Sequence, residues 1–142
     1  MIVLDTNVVS EVMKPKPSAL VLSWMAAHPR EQLFITTISQ AEILYGVRLL
    51  PAGRRRVALQ ADIDSMLSVE FAGRILPFDE QAASAFSHIA AERRTSGRPI
   101  SDFDAQIAAI TFSRGASIAT RDIHDFEDCG IVVLNPWLGP QS

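Results

Sequence analysis

The side chains of this chain best suited to chemistry are carboxylates that stand where apolar runs stop. Asp5 ends the run Ile2-Val3-Leu4 and is followed by Thr6 and Asn7. Asp122 directly follows the run Ser117-Thr120, in Thr120-Arg121-Asp122, with Asp125 close behind. Glu42 and Asp104 each fall three residues after a serine, in Ser39-x-x-Glu42 and Ser101-x-x-Asp104, which places them in first helical turns. Each acid has a plain structural use. Glu42 and Asp104 fit capping boxes and complement a helix dipole, and Asp5 and Asp122 suit turns. Crowded together, however, four carboxylates are costly unless a cation neutralises them. Carboxylate oxygens suit Mg2+ or Mn2+. Zinc is disfavoured, because His28, His88 and His124 lie far apart and no Cys/His ligand spacing occurs. His124 reads as a loop residue.

The elements that must bring these acids together follow from the apolar pattern. Strands are expected at Ile2-Leu4, Leu33-Thr36, Arg74-Phe78, Ser117-Thr120 and Ile131-Leu134. Helices are expected over Asn7-Met13, from a Ser18 cap to about Ala27, and from Ser39 to about Leu50. Further helices run from Arg54 to about Glu70, from an Asp79 cap to about Ser96, and from Ser101 to Gly115. In the Arg54 helix, Val57, Ile63, Met66 and Leu67 are candidates for the buried face. Apolar strands alternating with helices predict an α/β fold on a mostly parallel sheet of about five strands. In such a sheet the strand carboxyl ends and helix amino ends share one edge, where ligands bind. All four acids map to that edge.

The remaining composition sets bounds. At 142 residues, 48% hydrophobic and 20% charged, the chain is expected to form a single domain over 1–142. Its net charge of -3 argues against a nonspecific nucleic-acid coat protein. Eleven of its 13 basic residues are arginine, which suits forked contacts to phosphate. The one cysteine, Cys129, has no internal partner and reads as a small apolar residue. No apolar stretch approaches the ~20 residues that span a bilayer, and the N-terminus lacks the pattern of a secretory signal, so a cytoplasmic location is expected.

The segments DTNVVSE at the start, AEILYG at Ala41-Gly46, DAQIAA at Asp104-Ala109 and TRDIHDF at Thr120-Phe126 together resemble the PIN-domain ribonucleases. Within them the chain is most similar to the VapC toxins of toxin–antitoxin pairs, in the FitB-like branch. GRRRVAL, AGRILPFD and the closing LNPW add to the likeness, which spans almost the whole chain in order. The resemblance implies a three-layer α/β/α sandwich and a metal-dependent endoribonuclease. It implies Asp5, Glu42, Asp104 and Asp122 as metal-holding catalytic acids for Mg2+ or Mn2+, with the fourth position shared with Asp125 or served by it. Thr6 and Asn7 suit orienting a ligand or a water beside the metal, and by type they suit a helix cap equally well. The resemblance also implies a small DNA-binding antitoxin, operator DNA bound only through the complex of the two, and a homodimer.

RNA needs a grip outside the acids. Arg121, beside the expected site, and Arg93, Arg94 and Arg98 are candidates for phosphate contacts, as is Arg54-Arg55-Arg56. Two other functions compete. An aspartate-based phosphatase or phosphoacceptor would use Asp5 as nucleophile, although the only lysines, Lys14 and Lys16, fall in a proline-rich turn. A catalytically silent nucleic-acid-binding module is opposed by intact acids at all four positions. Among apolar positions, Leu22 suits an interface, Trp24 suits the core, and Trp137 suits packing of the C-terminal tail onto the body.

Overall fold

A computed structural model describes residues 1–140; Gln141 and Ser142, at the end of the expected 1–142 domain, lie outside the described residues. The chain runs β1 (Ile2–Leu4), α1 (Thr6–Val12), α2 (Ala19–Ala26), β2 (Leu33–Thr36), α3 (Thr37–Arg48), α4 (Arg54–Ser65), β3 (Ile75–Leu76), α5 (Glu80–Thr95), α6 (Asp102–Ser113), β4 (Ser117–Ala119) and β5 (Val133–Leu134). The five strands form one sheet in the order β3-β2-β1-β4-β5, and every pairing is parallel. The chain extends from β1 first towards β2 and β3, then returns to the other side of β1 for β4. That reversal puts a switch point between β1 and β4, at the edge where Asp5 and Asp122 emerge.

Successive strand residues point to opposite faces, and two cores follow. Val3 and Ile118 face one core, with Ile89 of α5 and Ile107 and Ile110 of α6. Leu4 and Ala119 face the other, with Val8 and Val9 of α1, Trp24 of α2, Ile43 of α3 and Ile63 of α4. Helices on both faces of a parallel sheet make the expected α/β/α sandwich. Val3, Leu4, Ile35 and Ile118 are fully buried, and each such side chain contributes roughly 1.5–3 kcal/mol.

Several expected boundaries move. β3 and β5 shrink to two residues each. The helix expected to Glu70 is α4 followed by a π-helical turn, Met66–Glu70. The capping serine of α3 is not Ser39. Thr36 caps the helix and accepts from Ser39 N at 3.1 Å, because the Ser39 side chain is fully buried and turned towards Thr6. Glu42 therefore lies in the second turn of α3, and the capping-box reading of this glutamate fails. Val57 is 70% exposed rather than buried; Ile63 and Met66 carry the inner face of this segment. Trp24 is in the core and Leu22 is exposed, as expected.

Candidate metal centre

Asp5 is the first residue after β1 and also the cap of α1. The β-ladder continues into it, with Asp5 N donating to Ala119 O at 2.9 Å. Thr6 N donates to Oδ1 at 2.8 Å, and Thr120 Oγ1 and Asn7 Nδ2 donate to Oδ2 at 2.7 and 3.2 Å. The residue is only 5% exposed. Burial pushes its carboxyl up to about 6, with Asp104 and Glu42 adding to the rise and the Thr120 and Thr6 hydrogen bonds opposing it. Thr6 and Asn7 are accordingly not caps. They are the first two residues of a helix whose cap is the aspartate before them.

Both residues reach other acids. Thr6 Oγ1 donates to Glu42 Oε1 at 2.8 Å. Its single proton is thereby committed, so Ser39 Oγ donates to Thr6 Oγ1 at 2.8 Å. Asn7 Nδ2 also donates to Asp122 Oδ2 at 3.1 Å, and Asn7 Oδ1 accepts from Arg121 N at 3.3 Å. Thr120 Oγ1 accepts from Asp122 N at 3.0 Å. A short hydrogen-bonded network thus joins the ends of β1 and β4 and the second turn of α3.

Asp104 comes from the opposite layer. Ser101 caps α6 and accepts from Asp104 N at 3.2 Å, which sets the carboxylate at the amino end of the helix. Burial is the main cause that raises the Asp104 carboxyl, and Asp125, Glu42 and Asp122 raise it further. Asp125 therefore sits within electrostatic reach of Asp104.

Asp5, Glu42, Asp104 and Asp122 all line one open cavity of about 390 Å³. Among the described residues no three His, Cys, Asp or Glu side chains stand close enough together to form a metal-holding group. The donor set itself is all carboxylate oxygen, and two of its members resist ionisation, which is the chemistry that a hard divalent cation relieves.

The arginines divide. Arg121 lines the cavity. Arg93 is 5% exposed and is removed from any phosphate role: Nε donates to Arg98 O at 2.7 Å, and a terminal nitrogen donates to Asp125 O and Glu127 O at 2.8 and 3.0 Å. It ties the end of α5 to the loop after β4. Arg98 pairs with Asp128 and Glu127 at 2.6 and 3.0 Å, at the surface. Arg94 is exposed on the last turn of α5. Arg55 lines a neighbouring groove that shares Thr6 and Glu42 with the cavity. His124 is exposed and bonds Glu127 Oε1 at 2.8 Å, and it does not line the cavity.

Four residues of the cavity wall carry no sequence expectation of a site role: Ser10, Glu11, Lys14 and Trp137. Glu11 is buried and accepts from Lys14 Nζ at 3.0 Å and from Ser18 N at 3.1 Å. These two bonds, the lysine's first, hold its carboxyl below the usual range. The Glu11-x-x-Lys14 spacing, which follows DTN after three intervening residues, is the signal that points to Glu11 and Lys14.

The PIN domain family matches residues 2–130. The VapC ribonuclease Y4jK of Sinorhizobium fredii is 41% identical over 137 residues, covering 96% of this chain and 98% of that protein. Toxin FitB of Neisseria gonorrhoeae is 37% identical over 96% of this chain and 99% of its own length. Among solved structures, FitAB bound to an IR36 DNA fragment superposes with a TM-score of 0.91 at 37% identity, covering 96% of both chains. DNA-bound VapBC from Salmonella typhimurium gives 0.77 at 28% identity, covering 95% of this chain and 97% of that one.

Proposed function

The match over residues 2–130 and the 41% identity to a full-length relative make this chain a member of the PIN-domain family, and we propose that it is a divalent-metal-dependent endoribonuclease, the toxin of a type II toxin–antitoxin pair. The observation that carries the reading is the convergence of four carboxylates, from β1, α3, α6 and the end of β4, on one cavity at the sheet's switch point.

Asp5 and Asp104 would hold a Mg2+ or Mn2+ ion directly, and Glu42 and Asp122 would complete the oxygen set. When bound, such an ion supplies an acidified water and neutralises charge at the scissile phosphate. The chain's own part is orientation. Thr6 fixes Glu42, Asn7 fixes Asp5 against Asp122, and Thr120 fixes Asp5 from the β4 side. Arg121 would meet the substrate at the cavity's lip. A phosphoacceptor role for Asp5 is disfavoured, because both of its oxygens accept hydrogen bonds and the residue is buried. The same reading brings a small DNA-binding antitoxin, operator DNA reached through the complex, a homodimer and action in the cytoplasm. No helix among the described residues is long and apolar enough to cross a membrane.

Inducible expression in a bacterium tests this. The wild-type chain should arrest growth and leave cut RNA, and Asp5→Asn, folded by circular dichroism, should do neither. Cleavage by the purified protein that persists in a chelator would remove the metal from the reaction.

A further inference from the structure

The cavity is not lined by acids alone. Lys14, just past α1, and Arg121, after β4, line it with them, and both act on Glu11. We propose that these two cations form a grip for the RNA backbone beside the acids, with Glu11 and Trp137 as the positioning residues that aim them. The inference rests on the ribonuclease reading and adds the substrate-holding half of the site.

Arg121 is built in rather than loosely placed. Its backbone N is tied to Asn7 Oδ1 at 3.3 Å, and its guanidinium carbon lies 4.5 Å from the Trp137 ring centroid. Stacking on an aromatic face leaves the in-plane N–H fork directed outward. Among the described residues that guanidinium makes no hydrogen bond or salt bridge, although five acids line the same cavity and one of them, Glu11, feels its charge. Trp137 is seated firmly. Asn135 Oδ1 accepts from Trp137 N at 3.0 Å, and the ring packs on the core beneath α2. Its Nε1 is buried with no partner among the described residues, so the ring is placed for its face and not for its N–H.

Lys14 is held in a different way. Glu11 Oε2 is fixed by Ser18 N, and Glu11 Oε1 takes one Nζ proton at 3.0 Å. The Glu11 side chain is 7% exposed and that of Lys14 is 57% exposed, so a rigid anchor carries an accessible ammonium with two donors remaining. A lysine at a helix end also suits the dipole. That use does not account for a buried glutamate committed to it, or for a second cation lining the same cavity. A polyanion approaching an acid-rich cavity needs such a wall, since four carboxylates outweigh one divalent ion.

The test is binding of a fluorescein-labelled single-stranded RNA of mixed sequence, read by anisotropy across a salt series. Ca2+ replaces Mg2+, and a gel verifies that the RNA stays intact. Each of Arg121→Gln and Lys14→Gln should reduce the slope of log affinity against log salt by about 0.7, and the double variant by about 1.4. Trp137→Leu should weaken binding about threefold and Trp137→Phe should restore it, because only a ring face seats the guanidinium. Glu11→Gln keeps an acceptor for Ser18 N and removes a negative charge, so plain electrostatics makes it bind tighter; the positioning role requires weaker binding. Unchanged slopes in both cation variants, in proteins with wild-type circular dichroism, overturn the grip. Tighter binding by Glu11→Gln overturns its positioning role. Wild-type protein with no salt-dependent RNA binding overturns the ribonuclease reading itself.

Discussion

Asn7 Nδ2 lies 3.1 Å from Asp122 Oδ2, across 115 residues of sequence. The same nitrogen lies 3.2 Å from Asp5 Oδ2 and 3.2 Å from Thr120 Oγ1. One amide therefore bridges two carboxylates that would otherwise repel each other, and it does so from the first turn of α1. Asn7→Ala should leave the sheet intact, since Asp5 keeps Thr6 N and Thr120 Oγ1. The Asp122 carboxylate would lose its hydrogen bond to the network, while the Asp122 backbone N keeps Thr120 Oγ1. Cleavage should fall about 10- to 100-fold, the usual effect of removing a group that orients a metal ligand, and more Mg2+ should be needed for half-maximal rate. An Asn7→Ala enzyme with a wild-type Mg2+ titration would show that the bridge is ornamental.

Asp104 separates function from stability. Its carboxyl is raised chiefly by burial and then by Asp125, Glu42 and Asp122, so its charge is a burden on the unliganded fold. Asp104→Asn lifts that burden and keeps the backbone bond to Ser101 Oγ. The loss of an acid from the first turn of α6 works against it, by about 0.3–1 kcal/mol. The metal-free variant should melt at or above the wild-type midpoint, while cleavage drops by at least about 100-fold for want of a ligand. A clear fall in the metal-free midpoint would mean that Asp104 is structural first.

The main features of this site were legible because they lie in the apolar pattern. Asp5 and Asp122 follow runs that are buried on both faces, and parallel strands put those run ends on one edge. What was illegible depended on packing between segments far apart. By type Ser39 is a slightly better cap than Thr36, and the burial of Ser39 against Thr6 is what leaves the cap to Thr36. Arg93 looked like a surface cation at a helix end. Its burial depends on the carbonyls of Asp125 and Glu127, supplied by a loop more than 30 residues later. By sequence Lys14 belongs to a proline-rich turn, yet it lines the cavity, and the bond from Ser18 N to Glu11 closes that turn across its base.

Asp5 also makes stability depend on pH with a definite sign. Its carboxyl titrates near 6 in the unliganded fold and in the ordinary carboxylate range when unfolded. Between those two values the folded chain holds more protons than the unfolded one, so stability falls as pH rises. The stabilisation is fully present below the unfolded value and gone above about 6, and it amounts to about 3 kcal/mol for this group. A divalent cation reverses the preference, because it binds the ionised acid and displaces the proton. Without metal the melting midpoint should drop from about pH 4 to about pH 6, in the window that Asp5 sets. Saturating Mg2+ should raise the midpoint much more at about pH 7.5 than at about pH 5. In Asp5→Asn the metal-free slope should flatten and the Mg2+ effect should shrink. An Asp5→Asn protein that keeps the full slope would assign the titration to another group, and an Mg2+ shift equal at both pH values would mean that the ion does not compete with the Asp5 proton.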